Sequence, residues 1–335
     1  MDIENKAHLD RYLSEKGWLP PGMSTVSETL RGGVSNRTAW VIFPDNRQWV
    51  IKQALEKLRV KEDWHCPPGR ISVEARAIEW LNSVLPERTV PALVFHDEER
   101  HILGMEAVRK PFENLKTVLL SGRIDLSLIE SAGQVLGDIH RNGTTAEARE
   151  LFEDRSYYKV LRLEPYYQFT GIQVPETKDF FDRLVEDTLA TRLTVVHGDY
   201  SPKNMLIKEG RLVLLDHEVM HFGDPAFDVG FMLCHLFSKS IHLPAQRNVL
   251  LNSVLSFWKC YSEANEDIAA DIQSRAVRHT IGCLLARVKG RSPHDYLGEK
   301  SKQIQLETGI SLSKEPVLTI EHFYENFKRK LAAYD

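Results

Sequence analysis

Cysteine is scarce in this chain: four among 335 residues, Cys66, Cys234, Cys260 and Cys283. None stands at C-x-x-C spacing, which argues against a zinc knuckle or a thioredoxin-like redox motif. They read as reduced thiols of a cytoplasmic protein. Long apolar runs are missing too. No window approaches the roughly 20 apolar residues that a membrane-spanning helix needs. The charged opening MDIENKAHLDRYL has no apolar core of a secretory signal. Nor is positive charge in excess: 43 lysines and arginines face 47 acids, a net charge of −4. Proteins held to nucleic acid by phosphate contacts are normally basic, so neither nucleic acid nor membrane is an expected partner.

What is present is ordinary for a globular chain, 42% hydrophobic and 27% charged. The length exceeds what one hydrophobic core normally serves, so two lobes are expected. In residues 4–16, Leu9, Tyr12 and Leu13 fall on one helical face, and Gly17, Pro20 and Pro21 end the pattern. Two β-rich runs, 40–43 and 49–52, flank the turn residues Pro44, Asp45 and Asn46. A helix over 71–85 and strands near 90–95 and 101–108 complete a small antiparallel sheet braced by a helix. Residues 1–108 are therefore read as one lobe. Residues 109–335 read as mostly helical, with helices at 126–141, 228–237, 249–264, 267–288 and 318–334. Two short strands interrupt them near 193–215.

The chemistry concentrates in 195–230, VVHGDYSPKNMLIKEGRLVLLDHEVMHFGDPAFDVG. The apolar runs 205–207 and 211–215 are joined by Lys208, Glu209 and Gly210, a hairpin with glycine at the turn. If Lys208 pairs with Arg211, Asn204 falls opposite Leu215, and Asn204 and Asp216 emerge at one end of the ribbon. Asp199 lies in the loop feeding the first strand. Converging carboxylate and carboxamide oxygens suit Mg2+, which takes few protein ligands and keeps positions for substrate phosphates. Phosphoryl transfer needs charge neutralisation and an aligned base. Asp199 is placed for the base, and Asn204 and Asp216 for the metal. Glu218 either adds a metal ligand or orders the loop.

His197-Gly198-Asp199, then Asn204, then Asp216-His217-Glu218 resembles the aminoglycoside phosphotransferase superfamily, which includes choline, homoserine and methylthioribose kinases. That superfamily shares its architecture with protein kinases, whose catalytic loop has the same Asp-x4-Asn spacing. The resemblance implies an α+β, two-lobed protein-kinase-like fold with an antiparallel-sheet N-lobe and a helical C-lobe. It also implies ATP as donor, with GTP left open, and a hydroxyl of a small molecule as acceptor. Gly32, Gly33, Ser35 and Asn36 look like the family's phosphate-covering loop. Lys52 resembles the strand lysine that grips phosphates, with Glu74 as its partner. Residues 105–108 correspond to the hinge, where Glu106 and Val108 would meet the adenine. A protein kinase would usually carry Arg before the Asp and Asp-Phe-Gly at the metal position. Gly198 and Asp216-His217-Glu218 favour small-molecule kinases instead. A pseudokinase would have lost one of these groups, and all are present.

His197 is expected to brace the loop, and His140 to be a satisfied core histidine. Asp228 is expected to cap a helix and tie down the catalytic loop. For the acceptor, the late helix carries Arg275, Arg278, His279, Arg287 and Lys289. His279, Cys283 and Arg287 share a face. Lining the acceptor site with His279 and Arg287 would suit an anionic or neutral polar acceptor better than a polycationic aminoglycoside. The alternative is a solvated or acid-paired face. The segment 163–167, LEPYY, looks somewhat like methylthioribose kinase and points to a sugar. The oligomeric state is left open.

Overall fold

Leu9, Tyr12 and Leu13 are buried on one face of α1 (Lys6–Glu15), whose N-cap Asn5 accepts from the His8 N–H. The structure, a computed structural model, describes residues 1–30, 33–60, 63–316 and 319–334. The chain divides into two units, Met1–Phe112 and Glu113–Asp335.

In the first unit β1 (Val26–Thr29), β2 (Asn36–Ile42), β3 (Gln48–Ala54), β4 (Leu93–Asp97) and β5 (Ile102–Glu106) form an antiparallel sheet in the order β1-β2-β3-β5-β4. The β2–β3 turn places Asn46 at φ +66°, a conformation asparagine tolerates. Val41, Trp49 and Ile51 point into a core shared with Leu9, Tyr12 and Leu13. Trp18, in the turn after α1, stacks on Phe95 of β4 with centroids 4.1 Å apart. Helix α2 (Arg70–Val84) follows β3 in the chain. The unit extends past the expected 108 because 109–112 pack back on it. Phe112 stacks on Trp40 at 5.8 Å, and Lys110 Nζ reaches Glu28 at 3.2 Å.

The second unit begins with β6 (Glu113–Asn114), α3 (Leu115–Leu120), α4 (Leu126–Asn142), α5 (Ala146–Leu151) and α6 (Ser156–Tyr158). A π-helical stretch, Lys159–Gln168, then runs into α7 (Phe169–Gln173) and α8 (Lys178–Ala190). Next come β7 (Thr194–Val196), β8 (Met205–Lys208), β9 (Arg211–Leu214) and β10 (His221–Gly223). Helices α9 (Ala226–His242), α10 (Arg247–Ala264), α11 (Glu266–Lys289), α12 (Glu299–Ser313) and α13 (Ile320–Leu331) complete it. Helix α9 is buried from Ala226 to Ile241 and forms the axis of this unit. The π-helical stretch, α8 and α12 are absent from the sequence reading. Pro165 lies inside the first of these. Proline removes an N–H and clashes with the preceding turn, and the wider π turn accommodates it. The fold is α+β: an antiparallel sheet in the first unit, mostly helix in the second. Among the described residues no helix is long and apolar enough to cross a membrane.

Candidate functional site

In the first unit, β3 carries Lys52 between its neighbours Thr38 on β2 and Leu103 on β5. Its Nζ lies 2.6 Å from Oε1 of Glu74, a fully buried residue of α2. Ser35 and Asn36 are buried at the start of β2, and Asn36 Nδ2 donates to Ser35 Oγ at 3.2 Å. A Cβ on Gly33 would meet nothing within 4 Å, so packing does not require glycine there. Gly32 lies outside the described residues. Glu106 N–H donates to the Ala92 carbonyl and Ala107 N–H to the Gln48 carbonyl, and Val108 follows, half-buried.

Arg70 is a functional-site neighbour that the sequence reading missed. It is fully buried and donates to the carbonyls of Cys66, Pro67, Leu55 and Ser35. It thereby ties the start of α2 to the glycine loop. The carbonyls of Ser35 and Leu55 lie 35 and 15 residues away, so no local spacing announces these contacts.

In the second unit, Lys208 pairs with Arg211 and Met205 with Leu214, the register the turn implied. Leu215 N–H then donates to the Asn204 carbonyl at 2.9 Å. Asp216 follows at φ +68°, a left-handed conformation costly for a non-glycine residue. It is half-buried, and Glu218 is buried.

Asn204 Nδ2 donates to Asp199 Oδ2 at 2.8 Å and to the Asp199 carbonyl at 3.0 Å. The amide is thus turned so that Oδ1 is the atom left for a cation. Arg162 Nη2 lies 2.9 Å from the same Asp199 Oδ2, and Arg162 Nε donates to the Gly198 carbonyl at 2.7 Å. Among the described residues Asp199 Oδ1 has no hydrogen bond or ion pair. One carboxylate oxygen is anchored and the other is available. Burial disfavours the Arg162 charge, but Asp199, Tyr166, Glu218 and Asp216 outweigh it and hold the pKa above its ordinary value. Arg162 also escaped the sequence reading; its signal is an arginine between the apolar Leu161 and Leu163, just before the segment 163–167.

The loop is held from beneath by Asp228, which accepts from the N–H groups of His197 at 2.6 Å and Gly198 at 2.8 Å. Its Oδ2 also meets His140 Nε2 at 3.2 Å, and His140 Nδ1 meets the Tyr261 hydroxyl at 2.9 Å. Burial would raise the Asp228 pKa. The His140 bond and the loop N–H groups overcome this and keep it low. Asp228 is not the helix cap: Pro225 occupies that position, and Asp228 sits inside the first turn of α9. His197 accepts the Asp199 N–H on Nδ1 at 3.2 Å. Burial lowers its pKa, against the pull of Asp228, Asp199 and Asp216. A neutral ring with Nδ1 accepting carries its proton on Nε2, which donates to His217 Nδ1 at 3.1 Å. Gly198, at φ +77°, lies so close to the Val219 carbonyl that a Cβ would sit 2.9 Å from it.

The late helix does not present a single ligand face. His279 is buried, with Nδ1 2.7 Å from the Tyr167 hydroxyl and Nε2 3.4 Å from Thr188 Oγ1 and 3.8 Å from Asp224. Both its ring nitrogens are engaged in the core, which corrects the expectation that it joins Arg287 on an acceptor. Arg275 pairs with Asp224 at 3.0 Å, and Arg278 pairs with Asp187. Arg287 has no such acid among the described residues. Its Nη1 donates to the Ser292 carbonyl and hydroxyl at 2.8 and 3.0 Å.

Known proteins resemble this chain in sequence and in fold. Methylthioribose kinase of Bacillus cereus (strain AH820) is 21% identical over 285 residues, 76% of this chain and 71% of that protein. Methylthioribose kinase of Yersinia pseudotuberculosis is 24% identical over 254 residues, 64% of this chain and 61% of that protein. A solved amicoumacin kinase matches the fold with a TM-score of 0.62 at 13% identity, covering 97% of this chain and 99% of that one. A choline/ethanolamine kinase family protein from Mesorhizobium loti matches with a TM-score of 0.58 at 13% identity, covering 96% and 99%. These likenesses make the fold protein-kinase-like. Residues 27–252 match the family described as the phosphotransferase enzyme family, APH, and the chain belongs to it.

Proposed function

We infer that the protein transfers the γ-phosphate of ATP, with Mg2+, to a hydroxyl of a small polar molecule in the cytoplasm. The observation that carries this is the split use of Asp199: Oδ2 is fixed by Asn204 and Arg162, and Oδ1 is left to accept a proton. Family membership and the named kinases among its relatives support the same reading.

The roles follow from chemistry. Asp199 Oδ1 takes the proton of the acceptor hydroxyl as its oxygen attacks the γ-phosphorus. The new O–P bond forms as the P–O bond to ADP breaks, and ADP leaves with that electron pair. Asn204 Oδ1 and Asp216 are hard oxygen donors that fit Mg2+, with Glu218 near them in sequence. When bound, the metal neutralises charge on the transferred phosphoryl group. Ser35, Asn36 and the glycine pair are assigned to the nucleotide phosphates with Lys52, which Glu74 holds in place. Glu106 and Val108 are assigned to the adenine. Relatives named methylthioribose kinase make a sugar-like acceptor the first class to try.

The test is ADP release from Mg-ATP across a panel of hydroxylated metabolites, for wild type and Asp199→Asn. Acceptor-dependent release that falls roughly 10²–10⁴-fold in the variant is expected, the usual range for a positioned base. No acceptor-dependent release, or a variant keeping more than half of kcat, ends the reading.

A further inference from the structure

Phe231, His235 and Lys239 recur every fourth residue along one face of the buried helix α9. Beside them the second unit gathers cations without matching acids. Arg287 Nη2 lies 3.5 Å from His235 Nε2. The His235 and His294 rings are 4.8 Å apart. Lys239 Nζ is 5.2 Å from the Tyr296 ring centre, and Lys116 Nζ is 5.8 Å from it. The one carboxylate ion-paired within this group, Asp295, belongs to Lys116 at 2.9 Å. Among the described residues neither Arg287 nor Lys239 forms an ion pair with an acid.

Charges are rarely buried unpaired, because desolvation costs too much. Burial, then the nearby Lys116 and Arg287, push the Lys239 ammonium down to about 7. His235 and His294 are held well below the ordinary histidine value, by burial first and the neighbouring cations next. The one carboxylate of the group is taken by Lys116, so the region is positive in potential and Arg287 is left without an acid among the described residues. Two of its buried polar atoms, Arg287 Nε and His294 Nε2, have no hydrogen-bond partner among the described residues. Arg287 and Tyr296 are only half-buried, so the group reaches the surface.

The same group shares two aromatic rings with the arginine that holds the base. Arg162, which holds Asp199, has its guanidinium carbon 5.8 Å from the Tyr166 ring centre and 6.0 Å from that of Phe231. Arg287 meets the same two rings at 4.8 and 5.0 Å. Two arginines thus flank one aromatic pair, one committed to Asp199 and one not.

We propose that the acceptor carries an acidic group, a carboxylate or a phosphate ester, and that Arg287 receives it with His235 and His294 beside it. This rests on the phosphotransfer reading of Asp199. The acid sits on Arg287, across the Tyr166–Phe231 pair, and a hydroxyl of the same molecule reaches Asp199 Oδ1. Arginine's planar fork gives bidentate contacts to either acid. A polycationic acceptor would meet repulsion here, which sets this site apart from one shaped for aminoglycosides.

Binding and turnover are tested separately on the full chain. Calorimetry uses D-gluconate and D-ribose 5-phosphate, with D-glucose and D-ribose as neutral counterparts. At least one acid should bind, and its counterpart should bind more than tenfold more weakly. Arg287→Met should weaken the acid about 10- to 150-fold, the range for a hydrogen bond to a charged group. Arg287→Lys should recover part of the loss. In wild type alone, binding of the acid should weaken as KCl rises from 50 to 500 mM, since screening acts on charge. Absence of binding by both acids, equal binding by Arg287→Met, or binding insensitive to salt overturns the proposal. Acid binding through Arg287 without Asp199-dependent ADP release keeps the anion site and removes the kinase reading.

Discussion

Asp199 is positioned by a residue 37 places earlier in the chain, Arg162, as well as by Asn204 five places later. The second partner is legible because spacing within a loop is visible in sequence. The first is not, because nothing local marks an arginine that crosses from a helix to a loop. His221 illustrates the same limit. It reads as one more histidine, yet it is fully buried, stacked on Tyr158 at 4.0 Å, and donates from Nδ1 to the Val219 carbonyl at 3.0 Å. Burial, outweighing that hydrogen bond, pushes its pKa from 6.5 to about 4. Above pH 6.5 the ring is neutral in both folded and unfolded chains and adds no pH dependence. As pH falls from 6.5 towards 4, the unfolded chain binds a proton that the folded one refuses, and stability is lost. At pH 5 the loss attributable to this ring is about 2 kcal/mol. His197, His235, His279 and His294 are displaced in the same direction, so a single variant is needed to isolate it. His221→Phe keeps the stacked ring and removes the titration. Denaturant unfolding at pH 7.5 and pH 5 should show wild type losing about 2 kcal/mol more than the variant. Equal losses would sink the assignment.

At the scale of elements, amphipathic helices and the β8–β9 hairpin were legible because period and turn chemistry agree with the final packing. The π-helical stretch was not, since Pro165 interrupts any helical pattern. Helix α4 was legible in extent but not in its mode of contact. Gly133 and Gly137 lie one turn apart against α10. A Cβ on Gly133 would sit 2.4 Å from the Phe257 carbonyl oxygen, and one on Gly137 2.5 Å from Ala264 Cβ. Glycine here allows two helix backbones to approach closely. Gly133→Ala sets two effects against each other. Helix propensity favours alanine by about 1 kcal/mol. Overpacking against a backbone atom costs about 1–3 kcal/mol. The close contact is with backbone, which cannot rotate away, so the variant should be less stable. A lower Tm with unchanged KM values for both substrates is expected in a thermal melt and a kinetic titration. A higher Tm would mean that the helices separate without cost.

At the scale of the whole molecule, candidate residues occur in each of the two units and should be separable by kinetics. Lys52 and Glu74 belong to the first unit, Asp199, Asn204 and Asp216 to the second. The motif spacing assigns these residues to separate segments of the chain. The acceptor was not legible, because its candidate groups come from α3, α9, α11 and the segment after α11, which only the fold brings together. Asp216 gives the sharpest test of the assignment as a metal-dependent enzyme. Its backbone is held at φ +68° directly after β9, in a conformation maintained only where the surroundings enforce it. Asparagine tolerates that conformation and keeps an oxygen, whereas alanine removes the ligand altogether. Asp216→Ala should therefore abolish the Mg2+-dependent part of ATP binding, while metal-free ATP binds the variant and wild type alike. Asp216→Asn should retain part of it, because a neutral carbonyl oxygen ligates Mg2+ less well than a carboxylate. Calorimetric titration with ATP, with and without Mg2+, separates these components. If Mg-ATP affinity, stoichiometry and activity are unchanged in Asp216→Ala, Asp216 is not a metal ligand, and its strained backbone requires another explanation. If both ATP forms weaken together with a lower Tm, the residue supports the fold instead of the metal.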